Sequence, residues 1–199
     1  MSFHASRIAD HPIDPMFLQR WSPRAFTGEA ISSEELMTLF EAARWAPSAG
    51  NSQPWRFVYA RRETAAWERF LDLLEESNRV WAHRAAALVI VLSKKSVLRS
   101  GRAEPKPLYS HSFDTGSAWA MLALQALRSG WHTHPMLGFD IPRAQRELRV
   151  PEDHHVEAAI AIGRRGDRSV LSAAQQEREI PSGREPLANL VIENGFPEA

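Results

Sequence analysis

The chain has 199 residues, enough for one domain with a substantial core and short for two, so residues 1–199 are expected to form a single domain. Its 24 basic and 24 acidic side chains cancel, which removes the main driving force for non-specific nucleic-acid binding, and its 44% hydrophobic content is ordinary for a globular protein. With no cysteine, disulfides, thiolate metal sites and a catalytic thiol are excluded.

The opening MSFHASRIADHPIDPMF has no basic segment leading into an apolar one, and no apolar run approaches a membrane span, so a cytoplasmic protein with no membrane partner is expected. Met16 to Trp21 reads as a short helix with Asp14 near its start. In ISSEELMTLFEAARWAP, Ser32 and Glu35 form a capping box, Leu36, Leu39, Phe40 and Ala43 share one face, and Pro47 stops the helix. RFVYA reads as a strand, ETAAWERFLDLLEES as an amphipathic helix and AALVIVLS as a buried strand, and residues 94–108 have the composition of a loop. SFDTGSAWAMLALQALRSG is apolar nearly all round, which predicts a central helix buried on most faces and ended by Gly130. WHTHPMLGFD reads as a strand entering a loop, PRAQRELRV as a short helix opened by Pro142, and VEAAIAIG as another buried strand. The apolar stretch PLANLVIENGF near the end predicts docking of the tail onto a partner surface. Mixed but not alternating elements indicate an α+β fold, a small sheet covered by helices. Seven tryptophans need burial in a core, an interface or around a planar ligand.

Several stretches could carry chemistry. In RWSPRAF, Arg20, Ser22 and Arg24 alternate, so an extended backbone turns all three to one side, suited to a phosphate or to plain solvation. In APSAGNSQPWRF, the small residues Ser48, Ala49 and Gly50 allow close backbone approach, and Asn51 and Gln53 offer donors and acceptors, either to a ligand or to the loop itself. In HPMLGFD, Pro135 sets a rigid turn, Gly138 is free to take positive φ, and the Leu137 and Gly138 amides are candidates for unpaired donors. His132 and His134 have strand spacing for a metal, with His154 and His155 as the only nearby supply of further ligands; satisfied or exposed histidines are the alternative. Arg164, Arg165 and Arg184 serve either a phosphate or solvent, and the glycines lack the spacing of a nucleotide-binding fingerprint. No serine-histidine-acid set and no carboxylate pair stands out, so an enzyme built from these parts draws its reactivity from a cofactor.

Taken together and in order, RWSPRAF, APSAGNSQPWRF, GWHTHPMLGFD and AIAIG with PSGR resemble the motifs of the FMN-dependent nitroreductase family. The resemblance implies a nitroreductase-like α+β fold, with a central mixed, mainly antiparallel sheet, made as an intertwined homodimer with FMN at the subunit interface. It assigns Arg20, Ser22 and Arg24, with the Trp21 backbone, to the FMN phosphate and ribityl chain, and Pro47, Ser48, Ala49 and Asn51 to the isoalloxazine of the other subunit. Pro135, Met136, Leu137 and Gly138 match the segment along the ring, with the Leu137 amide facing N5. Gly163, Arg164 and Arg184 match the closing elements, and no metal and no side-chain acid or base is assigned. The implied activity is transfer of reducing equivalents from NADH or NADPH through FMN to a nitroaromatic or quinone, in ping-pong order. Dehalogenation or enone reduction on the same fold, or flavin sequestration without turnover, are the alternatives. Met121 stands where many members have asparagine, and Ser182 where many have lysine. Phe70, Trp81, Tyr109 and Phe113 are candidates for a wall over the flavin.

Overall fold

A computed structural model describes residues 7–98, 100–101 and 103–196. Residues 1–6, part of the opening on which the cytoplasmic expectation rests, lie outside the described residues, as do Arg99 and Arg102 of the segment read as a loop. The elements are α1 (Pro15–Gln19), α2 (Ser33–Arg44), β1 (Trp55–Arg61), α3 (Trp67–Leu71), α4 (Glu76–Ala82), β2 (Ala87–Lys94), β3 (Ser96–Val97), β4 (Lys106–Pro107), α5 (His111–Arg128), β5 (His132–Met136), α6 (Ile141–Glu147), β6 (His154–Gly163) and α7 (Ala173–Glu177).

The main sheet has the order β1-β2-β6-β5, and each of its pairings is antiparallel, in line with the mainly antiparallel expectation. β2 is central and its side chains alternate between two cores. Ala87, Val89 and Val91 join Ile160 and Ile162 under α2 and α5, while Leu88, Ile90 and Leu92 face Trp67, Phe70 and Trp81 on the opposite side. Burial on both faces is why this strand reads as an unbroken apolar run rather than an alternating one. The capping box of α2 is present, with Ser32 Oγ accepting from the Glu35 N–H at 3.1 Å and the Glu35 carboxylate accepting from the Ser32 N–H at 3.1 Å. Asp14 and Asp140 cap α1 and α6 in the same way, at 2.8 and 2.9 Å.

Three expectations are corrected. The helix read over ETAAWERFLDLLEES is broken into α3 and α4, because the intervening backbone pairs across the chain: the Asp140 N–H donates to the Leu73 carbonyl at 2.8 Å and the Glu75 N–H to the Gly138 carbonyl at 3.1 Å. The segment read as a loop carries the small hairpin of β3 and β4. α5 is buried on one face rather than on most faces: Thr115, Ala118, Leu122 and Ala126 pack inward, but Phe113 is 79% exposed, since the chain places nothing over the outer side. The tail residues Leu190, Val191, Ile192 and Phe196 are exposed on the single chain, which leaves their apolar surface open to the partner expected from the sequence. Among the described residues no helix is long and apolar enough to cross a membrane.

Candidate functional site

α1 ends at Arg20, whose φ of −67° and ψ of 121° begin an extended segment. The period-two reading of RWSPRAF therefore holds locally, and Arg20 Nη1 lies 3.5 Å from Ser22 Oγ. The segment is fixed by Glu179, from the loop after α7, whose carboxylate accepts the Arg24 N–H at 2.8 and 3.1 Å and the Ala25 N–H at 2.9 Å and sits 4.0 Å from the Arg24 guanidinium. Arg7 joins the group from the other end of the chain. Its guanidinium donates to the carbonyls of Leu18, Arg20 (2.8 Å) and Ser182 (3.0 Å). Ser182 Oγ in turn accepts from Arg184 at 3.2 Å. The serine in the position of a family lysine thus organises two guanidiniums, and Arg7 supplies a further positive charge.

Burial lowers the Arg20 pKa first, and the positive charges of Arg7 and Arg184 lower it further; Arg7 is lowered by burial and by Arg184. The neighbouring charges acting on Arg20 are all positive. Three guanidiniums gathered with no carboxylate paired to them among the described residues repel one another, and an anion of high charge density relieves that cost.

His132 and His134 lie behind this segment on β5. Burial pushes both down to about 4, with Arg165 and Arg20 adding to the effect at His132, and Arg24 and Arg20 at His134, where the hydrogen bond to the Pro23 carbonyl opposes it. His134 Nδ1 is 3.1 Å from that carbonyl, and its ring lies 4.6 Å from Trp81. His132 Nδ1 is buried without a partner. His154 and His155 cannot complete a metal set with them, because β6 places these two beside Lys94 and Ser93, at the far end of the strand from His132 and its partner Gly163.

At the end of β5, Leu137 is 75% exposed, and neither its N–H nor that of Gly138 meets an acceptor among the described residues. The expectation of positive φ at Gly138 is corrected: the residue is small because of space, since a Cβ there would lie 2.7 Å from Asn78 Nδ2 and 2.9 Å from Glu75 Oε2. Gly163 has a similar reason, a Cβ there falling 2.6 Å from the Phe26 ring. Arg164 is turned away from Arg20. It pairs with Glu29 at 2.8 Å and Glu35 at 3.4 Å and covers the Trp131 ring at 4.3 Å, a structural role. Arg165 instead stands 6.0 Å over Trp21. Of the wall candidates, Phe70 and Trp81 belong to the core, while Tyr109, just before α5, and Phe113, in its first turn, are exposed.

The loop Pro47–Asn51 lies elsewhere. Gly50, Asn51 and Gln53 take the left-handed conformation, with φ of 56°, 53° and 47°. Ser48 Oγ accepts from the Gln53 N–H at 3.0 Å, and the buried Asp114 carboxylate accepts from the Ala49 N–H at 3.1 Å and from Ser110 Oγ at 2.8 Å. Asp114 ties the loop to the first turn of α5, leaving Pro47, Ala49 and Asn51 exposed. Trp21, Arg7 and His132 face a cavity of about 880 Å³ whose far wall is Leu127 and Gly130, at the other end of α5. Asp114 and Leu127 are separated by about 20 Å of helix at 1.5 Å per residue. Within one chain the residues of the sequence-derived site are therefore spread along α5: the arginine segment lies beside its Leu127 end, while the loop is tied to its first turn and Pro135 faces Ser112, Thr115 and Gly116. Arg7, Asp114, Glu179 and Arg165 are additions that sequence reading missed or left unassigned. Asp114, four residues after Ser110, had a weak local signal, and Arg7 had none.

Comparison with known proteins gives four findings. The family model described as "Nitroreductase family" matches residues 17–84. A solved structure described as the oxidoreductase containing FMN is 44% identical, covers 100% of both chains and superposes with a TM-score of 0.94. The NADH dehydrogenase of Thermus thermophilus is 27% identical over 201 residues, 88% of this chain and 92% of its own. A nitroreductase family protein from Streptococcus pneumoniae, at 20% identity, shares the fold with a TM-score of 0.70 over 90% of this chain and 98% of its own.

Proposed function

The chain belongs to the nitroreductase family, and from that premise we propose that it is an FMN-dependent oxidoreductase, working as a homodimer on an electron-poor small molecule such as a nitroaromatic or a quinone. The observation that carries the reading is the trio Arg7, Arg20 and Arg184, which gathers positive charge beside Ser22 with no carboxylate paired to it among the described residues. These residues fit a phosphate monoester, which needs several charge-assisted donors at once. FMN held there would supply the redox chemistry between NADH or NADPH and the acceptor, which in ping-pong order would use the same site in turn.

The protein's own part is holding and shaping. Arg7, Arg20, Arg184 and Ser22 would bind the phosphate, and Glu179 fixes the backbone at Arg24 so that these side chains start from a rigid segment. The Leu137 N–H, without an acceptor of its own among the described residues, would serve as a neutral donor to the flavin ring, one that needs no titration. His132 and His134 stay uncharged at pH 7, so they leave the balance of charge near Arg20 to the arginines. The loop Pro47–Asn51 would complete the ring site of a second copy, with the exposed Phe113 and the tail at the interface between them.

Purified protein is expected to hold FMN, to bleach anaerobically on addition of NADH or NADPH, and to regain its colour on addition of a quinone. A protein that takes up no FMN contradicts the proposal. One that binds FMN but is reduced by neither nucleotide is a flavin carrier instead.

A further inference from the structure

The cavity of about 880 Å³ lies on the opposite side of the RWSPRAF segment from the Arg20 and Ser22 side chains, because Trp21 alternates with them. Its volume is that of a small-molecule site. Its wall combines a flat aromatic face with guanidiniums: Trp21 with Arg165 above it, Arg168 near the rim, and Arg7 on the side shared with the arginine trio. The two acids on the wall are engaged. Glu179 is held by the Arg24 and Ala25 N–H groups and the Arg24 side chain, and Asp167 accepts from the Ser169 N–H at 2.8 Å beside Arg168. Arg165 forms no ion pair among the described residues, and the buried His132 Nδ1 on the same wall lacks a partner. An aromatic face beside Arg165, which no carboxylate pairs among the described residues, with Arg168 next to it, suits a planar base carrying phosphate. His132 and Leu137 are five residues apart along β5, roughly 16 Å of strand, a distance that an extended dinucleotide covers.

We propose that this cavity receives the adenosine end of the nicotinamide dinucleotide, with the base on Trp21 and the ribose 2′-phosphate read by Arg165 and Arg168, so that the enzyme prefers NADPH to NADH. The proposal rests on the flavin reading for the identity of the ligand, but the pocket itself is assayed without turnover. Isothermal titration of the FMN-loaded protein with adenosine 2′,5′-bisphosphate, compared with AMP, measures the 2′-phosphate contact directly. The bisphosphate is expected to bind about tenfold or more tightly than AMP, the worth of at least one charge-assisted contact. In the Arg165→Ala, Arg168→Ala double variant the two ligands should become equal while flavin content stays unchanged. In the unsubstituted enzyme the bisphosphate should raise the apparent KM for NADPH and leave kcat alone, a measurement that does not depend on the variant folding. Equal affinity for the two probes, absence of competition, or discrimination that survives in the double variant each overturn the proposal. A flavin-free protein that still discriminates the probes keeps the pocket and loses the reaction, whereas a flavin-loaded protein that ignores them keeps the reaction and loses the pocket.

Discussion

Replacing Asp114 by alanine removes the one acidic side chain that joins the Pro47–Asn51 loop to α5. The carboxylate is 4% exposed and accepts from the Ala49 N–H at 3.1 Å and from Ser110 Oγ at 2.8 Å. Hydrogen bonds to a charged acceptor contribute about 1.5–3 kcal/mol each. Ala49 is exposed, so its freed N–H regains water, and deleting a buried carboxylate recovers part of its desolvation cost, which leaves a net loss of about 2 kcal/mol. For a chain of this size that corresponds to a fall in Tm of about 4–8 °C. The loss should be focused on the loop, where three consecutive left-handed or near-consecutive positions, Gly50, Asn51 and Gln53, have few other restraints. Thermal unfolding followed by circular dichroism gives the first quantity, and hydrogen exchange of the 48–53 amides gives the second. A Tm within a degree of the parent, or loop amides no faster than before, would refute the assignment of Asp114 as the anchor.

Gly163→Ala brings a Cβ to 2.6 Å from the fully buried Phe26 ring, so it should destabilise by about 1–3 kcal/mol, read as a lower urea midpoint; an unchanged midpoint would show that the ring can yield. Arg20→Ala should weaken FMN about tenfold or more in a flavin titration while leaving the flavin-free protein no less stable, because it also removes repulsion from Arg7 and Arg184; equal losses in both would contradict the phosphate assignment. In the unfolded chain His132 and His134 take up protons near pH 6.5, and in the folded protein only near pH 4, so protons favour unfolding between those values. Stability should be full above pH 6.5 and decline towards pH 4, by on the order of 2–3 kcal/mol per histidine. His132→Gln should flatten that decline in urea unfolding at pH 7, 6 and 5, and a slope unchanged by the substitution would remove His132 from the account.

What the sequence made legible was local. Ser32 and Glu35 lie within one turn of each other, so the start of α2 was readable from four residues, and the two-sided burial of β2 was readable from LVIVL. The break between α3 and α4 was not, because it is made by Gly138 and Asp140, more than sixty residues away, which draw the backbone of Leu73 and Glu75 out of the helix. The same division runs through the site. The alternation of Arg20, Ser22 and Arg24 is a period-two pattern visible in the chain, but Arg7 is held beside it by tertiary contacts, to the Arg20 carbonyl and to Ser182, 175 residues distant. The family resemblance assigns Arg164 to the flavin site, while the carboxylates of Glu29 and Glu35 claim it, and its neighbour Arg165 faces the cavity. The outer face of α5 read as buried because apolarity marks a surface that needs covering without saying which chain covers it.

The central claim is that one flavin site is assembled from the arginines of one copy and the Pro47–Asn51 loop of another. It is tested most directly by co-expressing two differently tagged variants, one carrying Arg20→Ala with Arg184→Ala and the other Ser48→Trp with Asn51→Ala, and measuring FMN in the doubly tagged species. Each variant alone should hold little flavin. The mixed dimer has one site with both lesions and one with neither, so it should hold one FMN per dimer. A mixed dimer as empty as its parents would place both lesions in the same site of one chain and contradict the account.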